Sequence, residues 1–157
     1  MKHYKFTAAQ AAANCGFTDL FVLTKADLTE TADNTAQSIT LDALAAGDIV
    51  FQDVVVEVKT AWGGHADLTA TLSVGVTSAT TALTPALTIC TAGTGAAAGV
   101  ADTSDCQTNA HYVAASAINM LATFTPDADS GLDEFTGGEA RIWMRISRQS
   151  NRAALAV

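Results

Sequence analysis

The sequence predicts an all-β domain, an antiparallel β-sandwich of jelly-roll type with a short N-terminal helical turn. Two runs of alternating apolar and polar residues between positions 48 and 76 are the first indication, since a period of two is typical of strands with one buried face. Further short alternating runs, separated by glycine, proline and polar clusters, are the second. Together they indicate about seven short strands and little helix, a pattern that favours two packed sheets.

The two central runs have the clearest strand pattern. Their apolar positions are Val54, Val56 and Val58 in the first run and Leu68, Ala70, Leu72, Val74 and Val76 in the second. Polar residues such as Glu57 and Thr71 lie between them, so each run has one face for the core and one for water. Because Gly63 and Gly64 separate the runs, we expect an antiparallel hairpin with Trp62, Gly63, Gly64 and His65 at or near an exposed tip.

The elements before this pair follow from local composition. Thr7 to Asn14 is rich in alanine and predicts a short helical turn that Gly16 ends. Asp19 to Lys25 is a predicted strand, Ala26 to Thr35 is polar and predicts a loop, and Ser38 to Asp42 alternates as a strand. A turn at Ala46 to Asp48 then leads into the central pair.

The elements after the pair are less regular. Leu83 to Cys90 predicts a weak strand, and Pro85 within it indicates an edge position. Residues 91 to 109 predict a long loop of low complexity, and His111 to Thr125 predicts a strand. Pro126 to Gly138 predicts an acidic loop. In the last predicted strand, Ala140, Ile142, Met144 and Ile146 alternate with Arg141, Trp143, Arg145 and Ser147.

Length and composition indicate one domain over residues 1–157, with basic extensions at residues 1–5 and 147–157. A chain of 157 residues is large enough to bury a core without disulfides. Charged residues make up only 15%, against about 25% in ordinary domains. No apolar run reaches the roughly 18 residues of a membrane span, and no continuous apolar segment follows the N-terminal lysines. We therefore expect a soluble chain with no cleavable signal and no membrane partner.

Charge is segregated along the chain. All four arginines, Arg141, Arg145, Arg148 and Arg152, lie within the last seventeen residues, and Lys2 and Lys5 lie at the start. Between residues 6 and 140, only Lys25 and Lys59 oppose all sixteen acidic residues. The basic ends predict docking onto an acidic partner; alternatively, the arginines pair with the chain's own acids. The acidic body disfavours nucleic acid as a partner, because it would repel phosphates.

The three cysteines cannot all pair within one chain. Cys90 and Cys106 flank a Gly/Ala segment, so a bridge between them is conceivable, but a reducing cytosol would keep these residues and Cys15 as thiols. Cys106 with His111 lacks the ligand spacing of a zinc site.

Four further patterns in the sequence involve residue types that occur in functional sites. Asp127, Asp129 and Asp133 surround Gly131 and are a weak candidate for calcium, without the register of an EF-hand. The glycine-rich segment 93–99 lacks the Lys-Ser/Thr pair of a phosphate loop. His3, His65 and His111 are far apart, and no GxSxG context occurs. Trp62 and Trp143 are candidate interface anchors, since Trp and Arg are enriched at binding hot spots; Trp143 could equally cover a second core layer. We expect no catalytic residue and no cofactor.

Three segments carry a resemblance to a family. They are Leu41 to Trp62, Ala66 to Gly75, and Gly137 to Ile146. This pattern resembles small structural proteins of tailed-bacteriophage virions, in which a strand ending in Thr-Ala leads through a loop to a strand ending in Val-Gly and a late strand closes the sheet.

The resemblance implies a capsid decoration or cement protein that binds the major capsid protein, forms homo-oligomers and has no enzymatic activity. Such a protein would reside in the virion after assembly in the cytoplasm of the bacterial host. The alternative is a carbohydrate- or receptor-binding module of a phage fibre or tail. In that case the Trp62 turn and the acidic loop from Asp127 to Glu134 would form the site.

Overall fold

The computed structural model of the chain describes residues 1–51, 54–64, 68–90, 99–102 and 111–150. Side chains are described throughout these ranges except at residues 99–102 and 111. The described part is predominantly β, with every strand pair antiparallel, which confirms the predicted all-β class. Within it, no helical segment combines the length and hydropathy that a membrane-spanning helix requires.

The strands form three sheets. In order across each sheet they are β1-β2-β11-β5-β8, β3-β10-β6-β7 and β12-β4-β9. Their bounds are β1 Lys2–Lys5, β2 Asp19–Thr24, β3 Gln37–Leu44, β4 Ile49–Phe51, β5 Val55–Gly63, β6 Ala70–Val76, β7 Leu87–Thr88, β8 Gly99–Asp102, β9 His111–Val113, β10 Ile118–Pro126, β11 Gly137–Met144 and β12 Ile146–Ser147. Single 3-10 turns occupy Lys25–Asp27 and Leu132–Glu134.

The predicted helical turn is present as α1, Ala8–Ala13. Thr7 caps it: its hydroxyl accepts a hydrogen bond from the Gln10 N–H, and the Gln10 side chain accepts one from the Thr7 N–H. The helix ends at Asn14, and Gly16 follows with a φ of +87°, a left-handed conformation that glycine adopts without strain. None of the α1 residues is buried, so the helix lies on the surface.

The predicted hairpin between the two central strands is wrong. β5 pairs with β11 and β8 in the five-stranded sheet, whereas β6 pairs with β10 and β7 in the four-stranded sheet. The chain therefore crosses from one sheet to the other where the hairpin tip was expected. The alternation in each strand was interpreted correctly, but a period of two identifies the buried face and carries no information on the neighbouring strand.

One apolar cluster joins the sheets. Phe21, Val56 and Ile142 from the five-stranded sheet and Leu72 and Phe124 from the four-stranded sheet are all fully buried within it. All predicted inward positions of the two central runs are buried, and so are Ala140, Ile142, Met144 and Ile146. The outer face of β6 is less exposed to solvent than predicted, because Ser73 on that face is buried opposite Thr123 of β10.

Several element boundaries differ from the prediction. The segment 48–62 is divided into β4, which belongs to the small third sheet, and β5. β8 lies within the predicted low-complexity loop, whose other residues, including 93–98, are outside the described ranges. Residues 1–5 were predicted as an extension, yet β1 occupies most of them and pairs with β2. The predicted edge strand near Pro85 is confirmed by β7, which ends its sheet.

Candidate functional site

The C-terminal arginines have different surroundings. Arg141 donates from Nε to the Glu139 carboxylate over 2.8 Å, and the Arg145 guanidinium lies 5.2 Å from the centre of the Phe51 ring. Arg148 donates to two carboxylates. Arg152 lies outside the described residues. Pairing with the chain's own acids, the alternative to docking, therefore holds for Arg141 and Arg148.

Arg148 connects the two larger sheets. Its Nη2 atom lies 3.1 Å from Oδ1 of Asp19 in β2 and 2.7 Å from Oδ2 of Asp42 in β3. Asp19 is buried, with 3% of its side chain exposed, and it also accepts a hydrogen bond of 2.7 Å from the Thr18 hydroxyl. One guanidinium thus hydrogen-bonds a carboxylate from each sheet.

The first strand adds two more side chains to this cluster. Nε2 of His3 lies 2.9 Å from Oδ1 of Asp19, and the His3 ring stacks on Phe21 with centroids 4.1 Å apart. Nζ of Lys5 lies 3.4 Å from Oδ2 of Asp42. We call His3, Lys5, Asp19, Asp42 and Arg148 the ion-pair network.

The network is arranged for stability rather than for metal binding. His3, Asp19 and Asp42 offer three ligand atoms within 4.8 Å of one another, but the Arg148 guanidinium already contacts both carboxylates. Lys5 lies beside them, so two cations already balance the two acids. Burial raises the pKa of Asp42, but the Ala43 N–H and the charges of Arg148 and Lys5 outweigh it and leave that pKa below its usual value.

A cleft of about 460 Å³ lies beside the network, lined by Lys5, Asp19 and Arg148 with Phe6, Ala8, Ala11, Thr18 and Ile146. Its charged side chains all belong to the ion-pair network. The cleft lies between Ala8 and Ala11 of α1 on one side and Ile146 and Arg148 on the other.

Trp143 lies on the outer face of the five-stranded sheet. Four residues form one row in register across the strands: Tyr4, Leu20, Trp143 and Val55. Arg141 lies two residues from Trp143 on the same face.

The indole ring of Trp143 also contacts neighbouring side chains. Trp143 donates from Nε1 to Glu57 over 3.4 Å. Its ring lies 6.1 Å from those of Phe6 and Phe17, beside a groove of about 280 Å³. Because Trp143 is half-buried and Tyr4 is 46% exposed, this row presents apolar surface to solvent.

Trp62 is not a surface anchor. Its side chain is fully buried, with the ring 5.1 Å from that of Phe124 and 5.7 Å from that of Phe135. The prediction placed Trp62 at an exposed hairpin tip, and it fails because the chain turns there from one sheet into the other. Trp62 instead closes one end of the core.

The three aspartates that form the weak calcium candidate have different surroundings in the acidic loop. The Asp127 carboxylate accepts hydrogen bonds from the Thr69 hydroxyl over 2.7 Å and from the Asp129 N–H over 3.3 Å. Bonds from the Thr69 and Ser130 hydroxyls lower the pKa of Asp127. Asp133 lies instead near Gly131, where the loop containing Asp33 also approaches. In the part of the chain that the structure describes, these aspartates do not form a group whose ligand atoms lie close enough together to hold a metal ion.

Two other predictions rest partly on residues outside the described ranges. Cys90 is a buried free thiol that accepts a hydrogen bond from the Ala70 N–H, and burial raises its pKa. Cys106, the possible partner of Cys90, lies outside those ranges, as does His65. Cys15 is a free, exposed thiol.

The sequence interpretation missed His3, Asp19 and Asp42. Asp42 is 106 residues from Arg148 and Asp19 is 129 residues from it, so no local motif connects them. One signal was available: Asp19 shares the inward face of β2 with Phe21 and Leu23. A carboxylate at an inward strand position requires a buried partner.

Comparison of the chain with protein-family models, curated proteins and solved structures finds no match.

Proposed function

We propose that this chain is a structural protein of a tailed-bacteriophage virion, a decoration or cement protein on the outer surface of the capsid. Its partner is the major capsid protein, and copies of the chain associate with one another. The three sequence segments named above support this assignment through their resemblance to such proteins.

Strand order is the observation that carries the proposal. We number β2, β3, β5, β6, β7, β8, β10 and β11 from one to eight along the chain. The five-stranded sheet then contains the order 1-8-3-6, and the four-stranded sheet has the order 2-7-4-5. This interleaving of early and late strands is what the two Greek keys of a jelly roll produce, and jelly rolls occur in viral capsid and lectin domains.

The ion-pair network supports a mechanical role. Arg148 ties β2 to β3 across the two sheets, and the first strand joins the same network through His3 and Lys5. Charged side chains thus connect the two larger sheets of the chain. A protein that bridges neighbouring capsid subunits must transmit load without opening, and its binding stabilises the shell by the linkage between binding and stability.

The outer row of Tyr4, Leu20, Trp143 and Val55 is the proposed contact with the capsid. Its centre is aromatic and apolar, and Arg141 flanks it, a composition that is typical of binding hot spots. Arg152 of the basic C-terminal region is the proposed salt-sensitive contact, because the segregation of the arginines at this end of the sequence predicts docking onto an acidic partner.

Locating the chain in purified particles tests the proposal. We expect gold-labelled antibodies against the chain to cover the shell regularly, with a copy number proportional to that of the capsid protein. A few copies confined to the tail or to vertices would contradict a cement role.

The heat stability of the particles is a second measurement. Particles lacking the chain should release their DNA at a lower temperature, and adding the purified chain should restore the original temperature.

A second test addresses the contact residues. Arg152→Ala should weaken binding to bare shells at low salt and have little effect at high salt, since exposed charge pairs are screened. Trp143→Ala should weaken binding at both salt concentrations. Unchanged binding by both variants would exclude the proposed contact.

The alternative, a carbohydrate- or receptor-binding module of a fibre or tail, now depends on a different site. Trp62 is buried, but the groove beside Trp143 has aromatic walls from Phe17 and Trp143 and a polar rim at Asn14. Sugar rings commonly stack on aromatic side chains, and lectin domains include jelly rolls. Retention on a glycan array that Trp143→Ala abolishes, together with a few copies per particle, would favour this function.

A further inference from the structure

The first strand lies at a sheet edge and buries little surface. Lys2, Tyr4 and Lys5 are exposed, and only His3 is half-buried. The helix α1 that follows has no buried residue. β1 is therefore held mainly by its backbone pairing with β2, by His3 and Lys5 in the ion-pair network, and by the pair between the Met1 amino group and Asp27.

The strand that β1 covers is, in contrast, part of the core. Phe21 and Leu23 of β2 are fully buried, and Phe21 packs against the His3 ring. If β1 left, β2 would present unpaired backbone N–H and C=O groups at its edge, and such an edge is a template for another strand. The strand that fits this edge in sequence and register is β1 itself.

The connection between α1 and β2 is tight. Cys15 has a φ of 55° and Gly16 a φ of 87°, so two consecutive residues are in the left-handed region. For Cys15 this conformation is unfavourable, because its β-carbon crowds the backbone there. An extended connection would relieve that strain, and short strained connections favour exchange of a terminal element between copies.

We propose that β1, carried together with α1, exchanges between two copies of this chain through an extended connection at Cys15 and Gly16, so that β1 of one copy pairs with β2 of the other. Every contact of β1 would be reproduced across the dimer: His3 with Phe21 and Asp19, and Lys5 with Asp42. Exchange in both directions pairs the backbone groups of β2 in both copies and gives a closed, twofold dimer. The partner is thus a second copy, and this inference does not depend on the proposed virion role.

Disulfide capture tests the exchange. The background is the full chain with Cys15, Cys90 and Cys106 replaced by serine, alanine and serine, checked by thermal melting. Tyr4 and Leu20 are direct cross-strand partners, so Tyr4→Cys is introduced in one preparation and Leu20→Cys in another. After mixing at high concentration and mild oxidation, we expect a covalent heterodimer at twice the monomer mass on a non-reducing gel.

Two controls make the result decisive. The double variant with both cysteines in one chain, oxidised at low concentration, should form an internal bridge; failure to do so would overturn the register on which the proposal rests. Mixing Tyr4→Cys with Val22→Cys places the thiols out of register, at a diagonal distance too long for a disulfide, so it measures random collision. A heterodimer yield no greater than in this mixture, with the internal bridge formed, would refute the exchange.

The ion-pair network should control the rate at which the disulfide-linked heterodimer forms. His3→Ala removes the contacts of β1 with Asp19 and Phe21, so we expect the heterodimer to form faster than in the background with His3 present. Raising the salt concentration should act in the same direction, since it weakens the Lys5 and Asp42 pair. An unchanged rate under both conditions would contradict an opening step at β1.

Discussion

Trp62 packs so closely on Gly138 that no side chain fits at position 138. Gly138 has a φ of +148°, and a β-carbon added there would overlap the indole ring. Gly138→Ala should therefore lower the free energy of unfolding by about 2 to 4 kcal/mol, from backbone strain and overpacking together. Denaturant melts measure the loss.

The adjacent glycine provides the control for this prediction. A β-carbon at Gly137 would meet nothing within 4 Å, so Gly137→Ala should change the stability by less than about 1 kcal/mol. Equal losses in the two variants would mean that the close packing of Trp62 on Gly138 is not the cause of the loss in Gly138→Ala.

At the scale of single strands, β6 tests the alternation. Leu72 is fully buried and Thr71, on the other face, is half-buried. Leu72→Ala should cost about 2 to 5 kcal/mol, because it leaves a cavity, whereas Thr71→Ser should cost at most about 0.5 kcal/mol. Equal stabilities in denaturant melts would contradict the assignment of the two faces.

The acidic loop is a second element with a direct test. Because the Thr69 and Ser130 hydroxyls already hydrogen-bond the Asp127 carboxylate, we expect added calcium to leave the melting temperature unchanged. A rise in melting temperature with calcium that Asp129→Ala abolishes would show that the loop binds the ion.

At the scale of the whole molecule, Arg148 holds the two larger sheets together. Arg148→Met leaves the buried Asp19 carboxylate without its guanidinium, and we expect a loss of about 2 to 4 kcal/mol in the free energy of unfolding. This differs from the expectation for a peripheral terminal arginine, which could be replaced without cost.

Arg141→Met is the matched control for Arg148→Met. The pair between Arg141 and Glu139 is about one third exposed, and such surface pairs contribute at most about 1 kcal/mol. Similar small losses for both arginines would contradict a stabilising role for the network.

The network also predicts sensitivity to acid. Because the pKa of Asp42 is lower in the folded chain than in the unfolded one, its contribution is fully present above the unfolded value of about 3.9. It is lost as the pH falls through the lower folded value. The stability difference between the wild type and Asp42→Asn should therefore shrink as the pH falls below the unfolded pKa. A constant difference in urea melts across that fall in pH would exclude this linkage.

The sequence by itself determined the all-β class, the inward face of each central strand, the short helical turn and the edge position of β7. These features depend on residues that are close along the chain: a period of two defines a face, an alanine-rich run ended by Gly16 defines the helical turn, and Pro85 interrupts pairing. Only the tertiary structure decided that β5 and β6 belong to different sheets, that Trp62 is buried, and that Arg148 joins Asp19 to Asp42. These features depend on contacts between residues up to 129 positions apart, and the local pattern of a strand does not specify the strand beside it.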